Sequence, residues 1–161
     1  MSGRMTMLDT GVRPSRTPVV LVAEDTLEVR DLLVEVLIAE GYSVVTATDG
    51  IEALEAMRHY HVDVLLLDLM MPRLDGWKIL QRLMAELGQH APRVIVVSAA
   101  HDMLGAQNHP LVEATVCKPF DLDHLLALVD NLAHRPAAVA SQASHPHAGG
   151  EVRRARPQQS R

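Results

Sequence analysis

Apolar and polar positions along the chain repeat one unit five times: a short apolar run, then a stretch whose apolar residues recur at helical spacing. The runs are residues 19–23, 43–47, 62–67, 93–97 and 114–117. They are mostly β-branched or Leu-rich and apolar at both parities, the pattern of parallel strands covered on both faces. After the first run, Val29, Leu32, Leu33, Val36 and Leu37 form a helical stripe that ends at Gly41. A second helix is predicted from an Asp49 cap through Ala53, Leu54 and Met57, and a third from Asp75 through Ile79, Leu80, Leu83 and Leu87, with Gly88 as its stop. The fifth starts at Asp121 and carries Leu122, Leu125, Leu126, Val129 and Leu132. The fourth, within 100–109, is the weakest, because it contains Gly105 and ends against Pro110. Strands alternating with helices predict an α/β domain with a parallel sheet and five helices.

Both ends break this pattern. Residues 1–16 and 136–161 are rich in Pro, Ser, Ala, Gln, His and Arg and have no apolar period, so they are read as disordered tails flanking a single domain at 17–135.

Composition adds that the core is aliphatic: 48% of the 161 residues are apolar, but only Tyr42, Tyr60, Trp77 and Phe120 are aromatic. The net charge of −5 conceals a segregation, with +2 on residues 1–16, +3 on 136–161 and therefore −10 on the domain between them. Such a domain lacks the basic footprint that nonspecific nucleic-acid binding needs. Runs such as 64–67 are far shorter than the roughly 20 residues that cross a bilayer, and residues 1–17 lack the apolar stretch of a secretory signal. A lone cysteine, Cys117, forms no internal disulfide. Together these features predict a soluble, reduced, cytoplasmic protein.

Candidate chemistry lies in the residues immediately after the strands. Glu24 and Asp25 come after the first run, Asp68 after the third, Ser98 after the fourth and Lys118 after the fifth. In an open parallel sheet those positions share one edge, the crevice outside the strand carboxyl ends where ligands bind. Three crowded carboxylates require a cation, and hard oxygen donors without a suitably placed histidine or thiolate favour Mg²⁺ over zinc. Mg²⁺ takes one or two carboxylates and leaves positions for phosphate oxygens. Asp68 is then the natural nucleophile, since a carboxylate can accept a phosphoryl group, with Lys118 supplying a second positive charge and Ser98 a hydroxyl donor.

Glu24-Asp25, the run from Asp68 through Met70, Met71, Pro72 and Asp75 to Gly76, then Ser98-Ala99 and Lys118-Pro119-Phe120, together resemble the receiver domain of two-component response regulators. The resemblance spans about 17–135 and implies a flavodoxin-like, doubly wound five-stranded sheet of order 2-1-3-4-5. It also implies that Asp68 accepts a phosphoryl group from a sensor histidine kinase or a histidine phosphotransfer protein. Asp25, Asp68 and the Met70 carbonyl would bind Mg²⁺, with Glu24 assisting through water. Ser98 and Lys118 would engage the phosphoryl oxygens, and the Lys118-Pro119 bond is expected to be cis.

The chain departs from the family at Thr115, where an aromatic residue is common, and in the 99–113 segment, which looks shortened and carries His109-Pro110-Leu111-Val112-Glu113 in place of the usual Gly-Ala-Asp turn. Signalling through an altered fourth-helix and fifth-strand surface is expected from this. Met70 and Ala100, two positions after Asp68 and Ser98, offer nothing to orient an attacking water, so slow hydrolysis of an aspartyl phosphate is expected.

Other residues have plainer readings. Asp75-Gly76 marks a loop and helix start, and Cys117 is expected to be a buried small hydrophobe. Met57, Met84, Met103 and Trp77 are expected to pack. His59 and His61, like His145 and His147, supply two ligands each where metal sites use three or four. Arg153, Arg154 and Arg156 are read as a solvating tail. The sequence thus points to a single-domain, non-enzymatic switch with no DNA-binding domain and no membrane segment, signalling to an unknown downstream protein. A receiver-like adaptor and an Asp-nucleophile phosphatase are the alternatives, with a flavin-binding module disfavoured because an acidic pair would repel the cofactor phosphate.

Overall fold

Five strands form one all-parallel sheet in the order β2-β1-β3-β4-β5, the flavodoxin-like arrangement that the resemblance implies. The computed structural model describes residues 16–135. The strands are β1 (Val19–Ala23), β2 (Ser43–Ala47), β3 (Val64–Leu67), β4 (Arg93–Ser98) and β5 (Val112–Cys117). The helices are α1 (Leu27–Ala39), α2 (Gly50–His59), α3 (Gly76–Glu86) and α4 (Leu122–Ala133). The tails assigned to 1–16 and 136–161 lie outside the described residues, except Arg16, which donates to Asp63 at 2.6 Å.

Alternation along each strand builds two apolar layers. Leu21 and Ala23 of β1, Leu65 and Leu67 of β3, and Val94 and Val96 of β4 pack under α2 and α3 with Ala53, Leu54, Ile79, Leu80 and Leu83. The intervening Val20, Val22, Val64, Leu66, Ile95 and Val97 meet Leu33 and Leu37 of α1 and Leu125, Val129 and Leu132 of α4. Three of the four helices start as their sequences predict, with Asp49, Asp75 and Asp121 each accepting a first-turn backbone N–H. Trp77 is half-buried against the first layer.

The expected helix within 100–109 is absent, and four α-helices, not five, are present among the described residues. Turns lead there to a single 3₁₀ turn at Ala106–Asn108, with Gly105 in a left-handed conformation before it. The physical reason is a poor balance. In α4, Leu125, Val129 and Leu132 are buried, each contributing about 2 kcal/mol. In 100–109 only Ala106 is fully buried and Leu104 is 87% exposed, too little to offset about 1 kcal/mol for an interior Gly, and Pro110 bars extension of a helix to gain more buried surface. Met103 and Leu111 still cover the first layer from this segment.

Two smaller expectations fail. Cys117 is exposed, because on the edge strand β5 it is Val116 that faces the core and Cys117 that faces outward. Met84 is 38% exposed, whereas Met57 and Met103 pack as expected.

Candidate functional site

Backbone hydrogen bonds continue the sheet just past its strand ends and fix where the polar residues emerge. The Glu24 N–H donates to the Ala47 carbonyl at 3.1 Å, the Asp68 N–H to Ala23 at 3.0 Å, and the Lys118 N–H to Ser98 at 2.9 Å. Glu24, Asp25, Asp68, Ser98 and Lys118 therefore stand at one edge of the sheet, as their positions after the strands predict.

Their side chains form one network. Lys118 Nζ donates to Glu24 Oε2 at 2.5 Å and to Asp68 Oδ2 at 2.9 Å. Asp68 Oδ1 accepts from Ser98 Oγ at 2.8 Å and from the Met70 N–H at 3.0 Å. Glu24 Oε1 accepts the Thr26 N–H at 3.1 Å. Glu24, Asp68 and Ser98 are buried, while Asp25 is exposed. Carboxylate oxygens of Glu24, Asp25 and Asp68 lie within 4.8 Å of one another. The Lys118-Pro119 bond is cis.

Burial pushes the Glu24 carboxyl above its ordinary range, and the nearby Asp68 charge adds to this, although the Lys118 ammonium and the Thr26 N–H oppose it. Burial alone would pull Lys118 down, but its hydrogen bonds to Glu24 and Asp68 outweigh that and hold it above the usual lysine value. The ammonium thus stays charged and partly neutralises a set of carboxylates that repel each other. Three carboxylates with no thiolate or imidazole among them make a hard-oxygen set that suits Mg²⁺.

The loop joining β3 to α3 carries Asp68 and Met70, and three contacts that periodicity does not disclose hold it in place. Arg73, at φ 63°, donates through Nε to the buried Asp49 carboxylate at 2.6 Å and through its terminal nitrogen to the same oxygen. That carboxylate caps α2 as well, accepting the Ile51 and Glu52 N–H groups. Burial raises the Asp49 pKa, but the hydrogen bonds from Glu52, Arg73 and Ile51 win and hold it below the usual carboxylate value. Gly50 and Gly76 allow close approach: a Cβ would sit 2.0 Å from the Leu74 carbonyl oxygen in the first case and 2.6 Å from that of Asp68 in the second. In the sequence, the only signal for these contacts is the Asp-Gly pairs at 49–50 and 75–76, legible there as helix starts.

Elsewhere the candidates disperse. Thr115 is half-buried in β5 opposite Val96. His59 and His61 contact the Glu55 carbonyl and Asp63 respectively, and His145, His147 and Arg153, Arg154 and Arg156 lie outside the described residues.

A family model described as the response regulator receiver domain matches residues 20–130. Response regulator MprA of Mycobacterium leprae is 38% identical over 119 residues, covering 72% of this chain and 51% of that protein. The probable transcriptional regulator ycf27 of Porphyridium aerugineum is 32% identical over 138 residues, covering 81% and 54%. The chain thus spans about half the length of these curated relatives. Among solved structures, the Francisella response regulator 1452 receiver domain superposes with a TM-score of 0.66 at 29% identity, covering 73% of this chain and 97% of that one. Thermotoga maritima TrrA in complex with Mg²⁺-BeF superposes at 0.65 with 28% identity, covering 72% and 99%.

Proposed function

The chain belongs to the response regulator receiver family, and on that premise we propose that it is a Mg²⁺-dependent phosphorylation switch whose acceptor is Asp68. The observation that carries this reading is the Asp68 carboxylate itself. It is held at the sheet edge by Ser98, Lys118 and the Met70 N–H, beside the Glu24 and Asp25 carboxylates.

In the transfer, an Asp68 carboxylate oxygen attacks the phosphorus of a phosphohistidine on a sensor histidine kinase or histidine phosphotransfer protein. A new O–P bond forms, the P–N bond breaks, and the electron pair returns to the imidazole nitrogen. Lys118 already bridges Glu24 and Asp68 and stands ready to pair with the added phosphoryl oxygens. Ser98 Oγ, which now donates to Asp68, turns its hydroxyl to one of those oxygens. Asp25, Asp68 and the Met70 carbonyl would hold Mg²⁺, with Glu24 acting through water, and the ion would offset charge on the transferring group. That the solved structure of TrrA is a Mg²⁺-BeF complex supports Mg²⁺ as the ion, not any one ligand set.

The protein acts in the cytoplasm as a switch without turnover of a separate substrate. Among the described residues no helix is long and apolar enough to cross a membrane. Its output is a phosphorylation-dependent contact with another protein, and the rebuilt 99–111 segment makes the surface beside β5 unlike one presented by a regular helix.

Incubation with acetyl phosphate and Mg²⁺, followed by intact mass measurement, tests the reading. One phosphoryl addition is expected in the wild type and none in Asp68→Asn or without Mg²⁺. Continuous hydrolysis of p-nitrophenyl phosphate without stable labelling would favour the phosphatase alternative and overturn the switch.

A further inference from the structure

The domain at 17–135 carries ten more negative than positive charges, so its cations have ample carboxylates to pair with. Arg73, Lys78, Lys118 and Arg135 each meet one, as does Arg16 just before the domain. Arg30 and Arg93 donate to backbone carbonyls. Among the described residues, only Arg58 and Arg82 of the Lys and Arg side chains have no hydrogen bond or ion pair. Both line the same groove, an opening of about 450 Å³ between α2 and α3.

The groove has a distinct composition. On α2, Ile51, Leu54, Glu55 and Arg58 are spaced i, i+3, i+4, i+7 and form one face. Opposite them stand Arg82 of α3 and Arg73 and Leu74 of the loop that carries Asp68. Leu54 is 8% exposed and Leu74 half-buried, giving an apolar floor, while Ile51 is left 48% exposed at the side. Two uncommitted guanidinium groups over an aliphatic floor suit an occupant with carboxylates around an apolar anchor, since guanidinium binds carboxylate bidentately.

We propose that this α2–α3 groove docks a short acidic segment of a partner protein, its apolar side chain against Leu54 and Leu74 and its carboxylates on Arg58 and Arg82. Charge complementarity selects that occupant. The chain's own ends carry +2 and +3 and would be repelled by the two arginines. A nucleic acid has no use for the apolar floor, and two arginines fall short of the basic footprint that it needs. The site lies apart from the carboxylate edge, although the Asp68 loop forms one of its walls through Arg73 and Leu74.

Selection of a random twelve-residue peptide library displayed on phage against the immobilised full-length chain tests the proposal, with the enriched peptides then synthesised and titrated by fluorescence anisotropy. Enriched peptides are expected to be acidic with an aliphatic or aromatic residue between the acids. Their affinity should fall about tenfold or more in Arg58→Glu/Arg82→Glu, by a smaller factor in Arg58→Gln/Arg82→Gln, and with added salt. Both positions are solvent-facing, so unchanged thermal midpoints in both variants are expected alongside. No acidic enrichment, equal binding to the double variants, binding of a 20-base-pair duplex through the same two arginines, or self-association that they abolish would each overturn it.

Discussion

Replacing Lys118 by Met tests whether this ammonium and a divalent cation serve the same carboxylates. Lys118 is 24% exposed and touches two groups, Glu24 at 2% and Asp68 at 7% exposure. Removing one partner from a buried ion pair costs about 3 to 5 kcal/mol. Because water reaches part of the Lys118 side chain, the cost here should be nearer about 2 to 3 kcal/mol. Mg²⁺ at about a hundred times its Kd stabilises a native state by about 2.7 kcal/mol, and it should stabilise Lys118→Met more, since the carboxylates then lack their cation. Urea unfolding at pH 7, with EDTA and with saturating Mg²⁺, measures both quantities while the slope against denaturant stays unchanged. The variant should lose about 2 to 3 kcal/mol without Mg²⁺ and recover about 1 kcal/mol or more of the deficit with it. Equal deficits in the two conditions, or no deficit at all, would refute the shared-site reasoning.

Three further outcomes concern the loop and its anchors. Asp49→Asn should cost about 1 to 2 kcal/mol near neutrality through the weakened α2 cap and the lost Arg73 pair; because the Asp49 pKa is lowered in the fold, this stabilisation exists above the unfolded carboxylate pKa and disappears as pH falls through the folded one. The gap between wild type and variant in denaturant unfolding should therefore close on acidification, and a gap constant with pH would contradict the assignment. Gly50→Ala should lose about 2 kcal/mol or more, because its Cβ would sit 2.0 Å from the Leu74 oxygen; a melting curve matching wild type would exclude that close approach. Met70→Asn, changing a side chain that is 58% exposed, should speed loss of the Asp68 phosphoryl group about tenfold, equivalent to about 1.4 kcal/mol in barrier, as tracked by intact mass after removal of the phosphodonor.

Much of the site is legible in the sequence because each of its polar residues ends a strand or lies within two residues after one, and parallel strands bring such positions to one edge whatever the helices do. Glu24, Asp68 and Lys118 are 44 and 50 residues apart along the chain, yet the ladder bonds that their N–H groups donate to the Ala47, Ala23 and Ser98 carbonyls place them within hydrogen-bond reach. The strands are legible for a related reason: both faces of the sheet are covered, so both parities are apolar. What stays hidden depends on pairings that no period encodes. The Arg73–Asp49 contact joins residues 24 apart across two loops, and the two unpaired arginines become neighbours only once α2 packs beside α3. Cys117 misleads because on the edge strand β5 it faces outward while Val116 faces the core, and the 100–109 segment because a weak apolar period is overruled by Gly105, Pro110 and a nearly absent buried face.

The central claim is that a covalent phosphoryl group forms on Asp68 and nowhere else. Borohydride reduction of the chain after treatment with acetyl phosphate and Mg²⁺ converts an aspartyl phosphate to homoserine, and peptide mass mapping locates it. Homoserine at position 68 is predicted, absent when Mg²⁺ is withheld; homoserine at another carboxylate, or at none in a chain that has taken up phosphoryl mass, would contradict the account.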